Sequence, residues 1–174
     1  MPGRKKREQE QRRLAALRRL EVLDTPREER FDVITRFLAQ DFDVPISMIS
    51  LVDDERVWFK SEVGLGIEEA SRDIAFCSHA LEEPDMLVIE DARKDERFKD
   101  NPLVAGEAGL RFYAGAVIYS PQRQPLGAVC IIDRKPRHMS YSDRRELIDF
   151  ATHVGRSLSG ANPDVGTESG MSGP

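Results

Sequence analysis

The stretch SRDIAFCSHAL, Ser71 to Leu81, sets Cys77 and His79 two residues apart, just after an adjacent Arg72–Asp73 pair. These residue types can support thiol chemistry, metal ligation or recognition of a polar ligand. On a helix, positions i and i+2 point about 200° apart, so the two side chains do not converge on one ion or act as a couple. In a strand they would share a face. The surrounding AFCSHALEE reads as a short helix stopped near Pro84. A zinc site takes about four ligands, and Cys130, His138 and His153, the other soft donors, show no spacing that suggests one. Cys77 therefore reads as a small residue in the wall of a pocket.

The charged and aromatic candidates come next. The planar fork of Arg72 can clamp a carboxylate or phosphate, with Asp73 beside it. Asp91 ends a predicted strand and can accept from a ligand amine or hydroxyl. Equally, Arg72, Asp73, Asp91 and Arg93 can pair among themselves and order the loops that carry them. Arg111 and Tyr113 lie on one face of a predicted strand, with Phe112 on the other. If their face lines a cavity, it offers a cation and a phenol. Trp58 and Lys60 form a further aromatic–cation pair. The chain has no Walker loop, no HExxH and no GxSxG.

The elements that must position these residues are legible in outline. Leu14, Ala16, Leu17, Leu20 and Leu23 mark a helix from about Gln9 to Leu23, with residues 1–8 frayed. In LDTPREE, Thr25 fits an N-cap, Pro26 the first helical position and Glu28 a capping-box partner. That places a second helix up to about Phe42. ISMISLVD (46–53) is apolar on both faces and reads as a central strand. RVWFKSEV (56–63) alternates, with Val57, Phe59 and Val63 on one side and Arg56, Trp58, Lys60 and Glu62 on the other. MLVIED (86–91) is a strand, and residues 92–110 a polar cover with one or two helical turns. RFYAGAVIYS (111–120) and LGAVCIID (126–133) form a hairpin apolar on both faces. Ser140 and Asp143 cap a last helix over 141–159, in which Leu147, Ala151, Val154 and Leu158 follow heptad spacing. That stripe serves either a homodimer or the chain's own sheet. Helices, hairpins and irregular cover in this order make an α+β fold with an antiparallel sheet and helices on one side.

Composition narrows the function classes. With 174 residues, 40% hydrophobic and 33% charged, the chain suits one folded domain. No apolar run approaches a membrane span. The two cysteines make no disulfide framework, so a cytoplasmic setting is expected. Residues 1–20 hold eight Arg or Lys and two Glu, a basic arm on a chain of net charge −5. The acidic remainder argues against nucleic-acid binding. The expected organisation is a basic helical arm at 1–21, a domain at 22–159 and a disordered tail at 160–174.

Five segments together carry a resemblance: PISMISLVDDERVWFKSEVGL, SRDIAFCSHAL, LVIEDARKDERFKDNPLV, LRFYAGAVI and PLGAVCIIDRKPR. In register over roughly residues 22–158 they resemble the GAF domain, of the subgroup at the front of bacterial sensor histidine kinases and diguanylate cyclases. The resemblance implies a five- or six-stranded antiparallel sheet with helices packed behind it and a small-molecule pocket in front. It implies a non-catalytic sensory module whose ligand signal passes through terminal helices at a homodimer interface; because the sequence carries no kinase, cyclase or DNA-binding output domain, the module is expected to stand alone and signal to a separate kinase or cyclase. The expected ligand-binding residues are Arg72, Asp73, Cys77, Asp91, Arg111 and Tyr113; neither ligand nor cofactor is specified. The alternatives are a dimerisation or interaction module and a thiol-based reductase of the free methionine-R-sulfoxide type using Cys77. Such reductases need a resolving cysteine, and Cys130 falls in a predicted buried strand. Bilin-binding members carry a Cys–His dipeptide, where this chain has Cys77-Ser78-His79.

Overall fold

The computed structural model describes residues 2–160. Of the expected tail, all but Gly160 lies outside the described residues. Six strands form one antiparallel sheet in the order β3-β2-β1-β6-β5-β4: β1 Ile46–Val52, β2 Arg56–Val63, β3 Glu69–Ser71, β4 Met86–Ile89, β5 Phe112–Tyr119 and β6 Pro125–Asp133. The three central strands β1, β6 and β5 are buried almost throughout. Apolar side chains on both faces of a strand require cover on both sides.

One face is covered by helices. These are α1 Pro2–Arg19, α2 Glu29–Asp41 and α5 Tyr141–Ser159. Leu17 of α1, Phe31 and Leu38 of α2, and Leu147 and Val154 of α5 pack with Ile49, Leu51, Ala114, Val129 and Ile131 of the sheet. The opposite face is covered by the short helices α3 Cys77–Ala80 and α4 Pro102–Ala105, a 3₁₀ turn at Ala92–Lys94, and connecting loops. The expected α+β architecture, with helices behind an antiparallel sheet, is thus observed, with β3 as a short edge strand that the pattern does not announce.

Several local expectations are corrected. Residues 2–8 are helical rather than frayed, with good helix formers from Arg4 onward and an Arg4–Glu8 pair at 3.3 Å. The first helix ends at Arg19, short of Leu23, where the chain turns through left-handed backbone at Glu21 and Asp24. The heptad stripe at Leu147, Ala151, Val154 and Leu158 is buried against the chain's own sheet, so it is not a free seam. The capping box of Ser140 and Asp143 does form.

The Thr25–Glu28 capping box does not form, and Lys60 is the reason. Helix α2 starts at Glu29 with no side-chain cap. A bulge in β2 breaks its register with β1, from Ile49↔Ser61 to Ser50↔Phe59, leaving Lys60 as the extra residue. The fully buried Lys60 ammonium donates to Thr25 Oγ1 at 2.8 Å and to the Pro26 carbonyl at 2.6 Å, and pairs with Glu28 at 2.8 Å. The bulge also turns Ser61 toward α2, where it meets Thr35 at 2.7 Å and Asp32 at 2.5 Å. Lys60 lies about 6 Å from the Trp58 ring, on the helix face, so that pair does not line the cavity on the opposite face. Lys60 thereby fastens the α1–α2 linker to the sheet. Lys60→Ala strands those acceptors and is expected to lower the unfolding free energy by about 3 kcal/mol. Urea denaturation with an unchanged slope checks this; a loss under about 0.5 kcal/mol would show that the linker is held by other contacts.

Candidate functional site

The face opposite the helices holds a cavity of about 100 Å³, walled chiefly by Met48, Phe59, Ala75, Phe76, Leu110 and Tyr113, with Cys77 and Arg134 also in its lining. The strands supply its floor because alternate residues of β1, β5 and β6 face this side. Its roof comes from the loop after β2, the 70–77 segment and residues 103–110. Among the described residues that line it, Arg134 alone is charged, and its Nε donates to the Ala108 carbonyl at 3.2 Å. Phe76 anchors the roof, with its ring 4.5 Å from Phe98 and 5.4 Å, edge-on, from Tyr113. His79 packs edge-on against Phe98 at 4.8 Å rather than facing Cys77. Asn101 ties the two halves of the roof together. Its Nδ2 donates to the Ile74 carbonyl at 2.9 Å and its Oδ1 caps α4 by accepting from the Leu103 amide.

Of the six expected site residues, the structure brings Cys77 and Tyr113 together at the cavity. Tyr113 is fully buried, and its hydroxyl lies 3.2 Å from Cys130 Sγ. Its ring lies along β5 across Gly115, where an added Cβ would overlap it, so glycine is required there. Cys130 Sγ is 3.4 Å from Cys77 Sγ and 3.8 Å from Ser50 Oγ. Hydrogen bonding with the adjacent Cys130 thiol outweighs burial and lowers the Cys77 thiol below its ordinary value. Burial first, then the neighbouring thiol, pushes Cys130 well up, and burial does the same to the Tyr113 phenol. The pair thus favours one ionised thiol over two.

The other four candidates sit outside the cavity lining. Arg111 braces the roof, with Nη1 donating to the Val104 carbonyl at 2.9 Å and the Leu110 carbonyl at 3.1 Å. Asp91 caps the 3₁₀ turn and holds Arg93 through two bonds of 2.9 and 2.8 Å. The Arg93 hydrogen bonds take its carboxyl down to about 2. Asp73 is exposed and does not pair with Arg72. Arg72 turns away from the cavity. Its Nη1 donates to Glu10 of α1 at 2.6 Å, to the Asp53 carbonyl at 2.9 Å and to the Asp54 carbonyl at 3.2 Å. Glu10 also accepts two bonds from the buried Arg13, at 2.8 and 2.9 Å. Arg72 therefore clasps α1, and lines an open polar groove beneath it with Lys6, Arg12 and Arg13.

What the sequence reading missed is the apolar lining itself and Cys130. Charged residues drew attention, whereas burial of apolar side chains makes the cavity. The alternation Ala128, Cys130, Ile132 in β6 was the available signal, since it shares a face with Tyr113 once β5 and β6 pair.

Three comparisons bear on this arrangement. The family model described as GAF domain matches residues 26–160. A cyclic di-GMP phosphodiesterase of Pseudomonas aeruginosa is 38% identical over 130 residues, covering 75% of this chain and 22% of that protein. The chain thus spans about a fifth of the length of that relative. Among solved structures, the GAF domain of an Acinetobacter phosphoenolpyruvate-protein phosphotransferase superposes with a TM-score of 0.62 at 19% identity, over 89% of this chain and 97% of that one. A type II free methionine-R-sulfoxide reductase from Thermoplasma acidophilum superposes with a TM-score of 0.61 at 14% identity, over 74% and 89%. These two likenesses are of fold. The chain belongs to the GAF domain family, a family of sensory and regulatory modules. No helix among the described residues is long and apolar enough to cross a membrane.

The clasp on α1 responds to pH in a defined direction. Burial alone would raise the Glu10 carboxyl, but the bonds from Arg13 and Arg72 prevail and bring it to about 2. A lowered carboxyl stabilises the folded arrangement fully above its ordinary value of 4.5 and loses that contribution as pH falls toward 2. Acid titration followed by amide chemical shifts at residues 53, 54 and 72 is expected to show the clasp intact at pH 4.5 and opening as the pH falls toward about 2. Glu10→Gln is expected to produce shifts in the same direction at neutral pH.

Proposed function

We propose that this chain is a non-catalytic regulatory domain in which a small, largely apolar molecule occupies the cavity and its presence is read at α1 through Arg72. The observation that carries this reading is the position of Arg72. Ala70 and Ala75 on either side of it line the cavity, while its guanidinium grips Glu10 of α1. Small-molecule sites commonly measure about 300–1,000 Å³, so a cavity of about 100 Å³ is a closed state. A metabolite-sized ligand enters only if the roof moves outward, and the roof includes the segment that holds the clasp. Binding energy is thereby converted into a change at the N-terminal helix.

Tyr113 at the floor and Cys77 in the roof act in this reading as the polar groups of the cavity, and Arg111 and Asp91 hold the roof that must yield. Arg72 and the exposed Asp73 contribute by position rather than by touching the ligand. The similarity to part of a cyclic di-GMP phosphodiesterase supports a role in controlling a signalling output such as a phosphodiesterase, kinase or cyclase. The lining lacks a paired cation and anion for an amino-acid zwitterion, which weighs against a free methionine sulfoxide reductase. For homodimerisation, the exposed Val33 and Phe37 of α2, with Phe37 5.7 Å from the Phe150 ring of α5, offer the open apolar surface. On this reading Phe37→Asp converts a dimer to a monomer in sedimentation equilibrium; a wild-type monomer would remove the dimer from the proposal.

The ligand is sought by thermal shift with nucleotides, cyclic nucleotides, amino acids, methionine sulfoxide, aromatic acids, haem and biliverdin. A binder at about 100 times its Kd contributes about 2.7 kcal/mol. The binder is expected to lose its effect on Ala108→Phe, which fills the cavity. It is expected to change amide hydrogen exchange in α1 of the wild type, while Arg72→Ala still binds but leaves α1 unchanged. Stabilisation that survives Ala108→Phe would place the ligand elsewhere, and binding without any response in α1 would remove the relay.

A further inference from the structure

The two cysteines lie 53 residues apart in sequence yet meet inside the fold with their sulfurs 3.4 Å apart. Both are unbonded thiols. A disulfide needs about 2.05 Å between sulfurs, so only a small approach of α3 to β6 separates the pair from a covalent bond. Their situations differ. Both are buried from the outside, Cys77 at 3% and Cys130 at 0% exposure, but Cys77 lines the cavity from the short helix of the roof, whereas Cys130 lies behind it on the central strand β6. Tyr113, held in place across Gly115, brings its hydroxyl to the Cys130 sulfur at 3.2 Å. One thiol therefore meets whatever enters the cavity, and the second stands within reach of the first alone.

We propose that Cys77 and Cys130 form a peroxide-sensing dithiol, with Cys77 as the attacking sulfur and Cys130 as the resolving one. The co-reactant is a small neutral hydroperoxide, a molecule little larger than water that a cavity of about 100 Å³ admits. The Cys77 thiolate attacks one peroxide oxygen, the O–O bond breaks, and the other oxygen departs as hydroxide, which takes up a proton to become water. Cys77 is left as a sulfenic acid. The Cys130 sulfur then attacks Cys77 Sγ, the S–O bond breaks, and a second water leaves as the disulfide forms. Two thiols together lose two electrons and two protons, and the peroxide takes up both to become two waters. The bond fixes α3 to the central strand and so locks one wall of the cavity. This inference goes beyond the ligand-relay reading and does not require it, because the thiol pair exists whatever the cavity binds.

The order of the sulfurs gives the test its content. The full chain, fully reduced, is treated with one equivalent of hydrogen peroxide, either folded or unfolded in urea, and the products are mapped by mass spectrometry. The expected product in the folded chain is an intramolecular Cys77–Cys130 disulfide, reversed by dithiothreitol. It is expected to form about tenfold faster than in the unfolded chain, where neither proximity nor a lowered thiol operates. A bulky, charged aromatic disulfide reagent is expected to react more slowly with the folded chain than with the unfolded one, because it does not fit the cavity. Cys130→Ser is expected to accumulate a Cys77 sulfenic acid trapped by dimedone, while Cys77→Ser leaves Cys130 unmodified. The wild-type comparison stands without the variants if either fails to fold. The proposal is overturned if the folded chain crosslinks no faster than the unfolded one, if disulfides form only between chains, or if Cys130 in folded Cys77→Ser is oxidised as readily as Cys77. A thermal-shift screen that finds no ligand would leave each of these outcomes unchanged, so the two readings fail separately.

Discussion

The arrangement depends on one constraint: the three central strands are apolar on both faces and must be hidden twice. The helices α1, α2 and α5 satisfy the requirement on one side with regular elements that pack closely. On the other side the chain has only the 64–111 connection, interrupted by a hairpin edge, short turns and glycines. Such a cover excludes water through single anchors such as Phe76, Phe98 and Leu110 rather than through a continuous helix face. A roof built of isolated anchors leaves space beneath it, and it is the part of the fold that can open at least cost. The cavity is thus a consequence of how the second face is covered.

An apolar interior also decides where the charges go. Asp91, Arg93, Arg111, Arg134 and Arg72 all bear on the roof, and they do so from its rim, through ion pairs and backbone carbonyls. Lys60 is fully enclosed on the helix side, and its ammonium is tolerated because three oxygens of one linker surround it. Charged groups in this protein therefore act as fasteners between elements. That role gives them directional meaning: Lys60 ties the linker to the sheet, and the Glu10 clasp ties α1 to the segment that forms the cavity wall.

The same fold carries a phosphotransferase's GAF domain and a sulfoxide reductase, so the backbone alone does not assign chemistry. The chemistry at the cavity is set locally. Glycine at position 115 lets the Tyr113 ring lie along the strand, which puts a phenol against a thiol in a dry environment. Hydrogen bonds in that setting are stronger than in water, and so is the preference for a single negative charge.

Much of this was legible in the residues themselves. The limits of β2 and α5, the Ser140–Asp143 cap, the doubly apolar central strands and the polar cover at 92–110 all follow from periodicity and turn chemistry, which are local. The opposite faces of Phe112 and Tyr113 follow from the two-residue repeat of a strand. Other features belong to the tertiary structure because they are properties of partners. A single extra residue at the Lys60 bulge reassigned Ser61 to the helix face, and the ammonium drew Thr25 and Glu28 out of a cap that their spacing favoured. The stripe from Leu147 to Leu158 has the same spacing whether it meets a second copy or its own sheet, and only the packing of α5 decided for the sheet. Local pattern assigns a residue to a face; which distant residue waits there depends on strand order. That is why Cys130 could be placed in a buried strand from the sequence, while its contact with Cys77 required β6 to be laid between β1 and β5 and beneath α3.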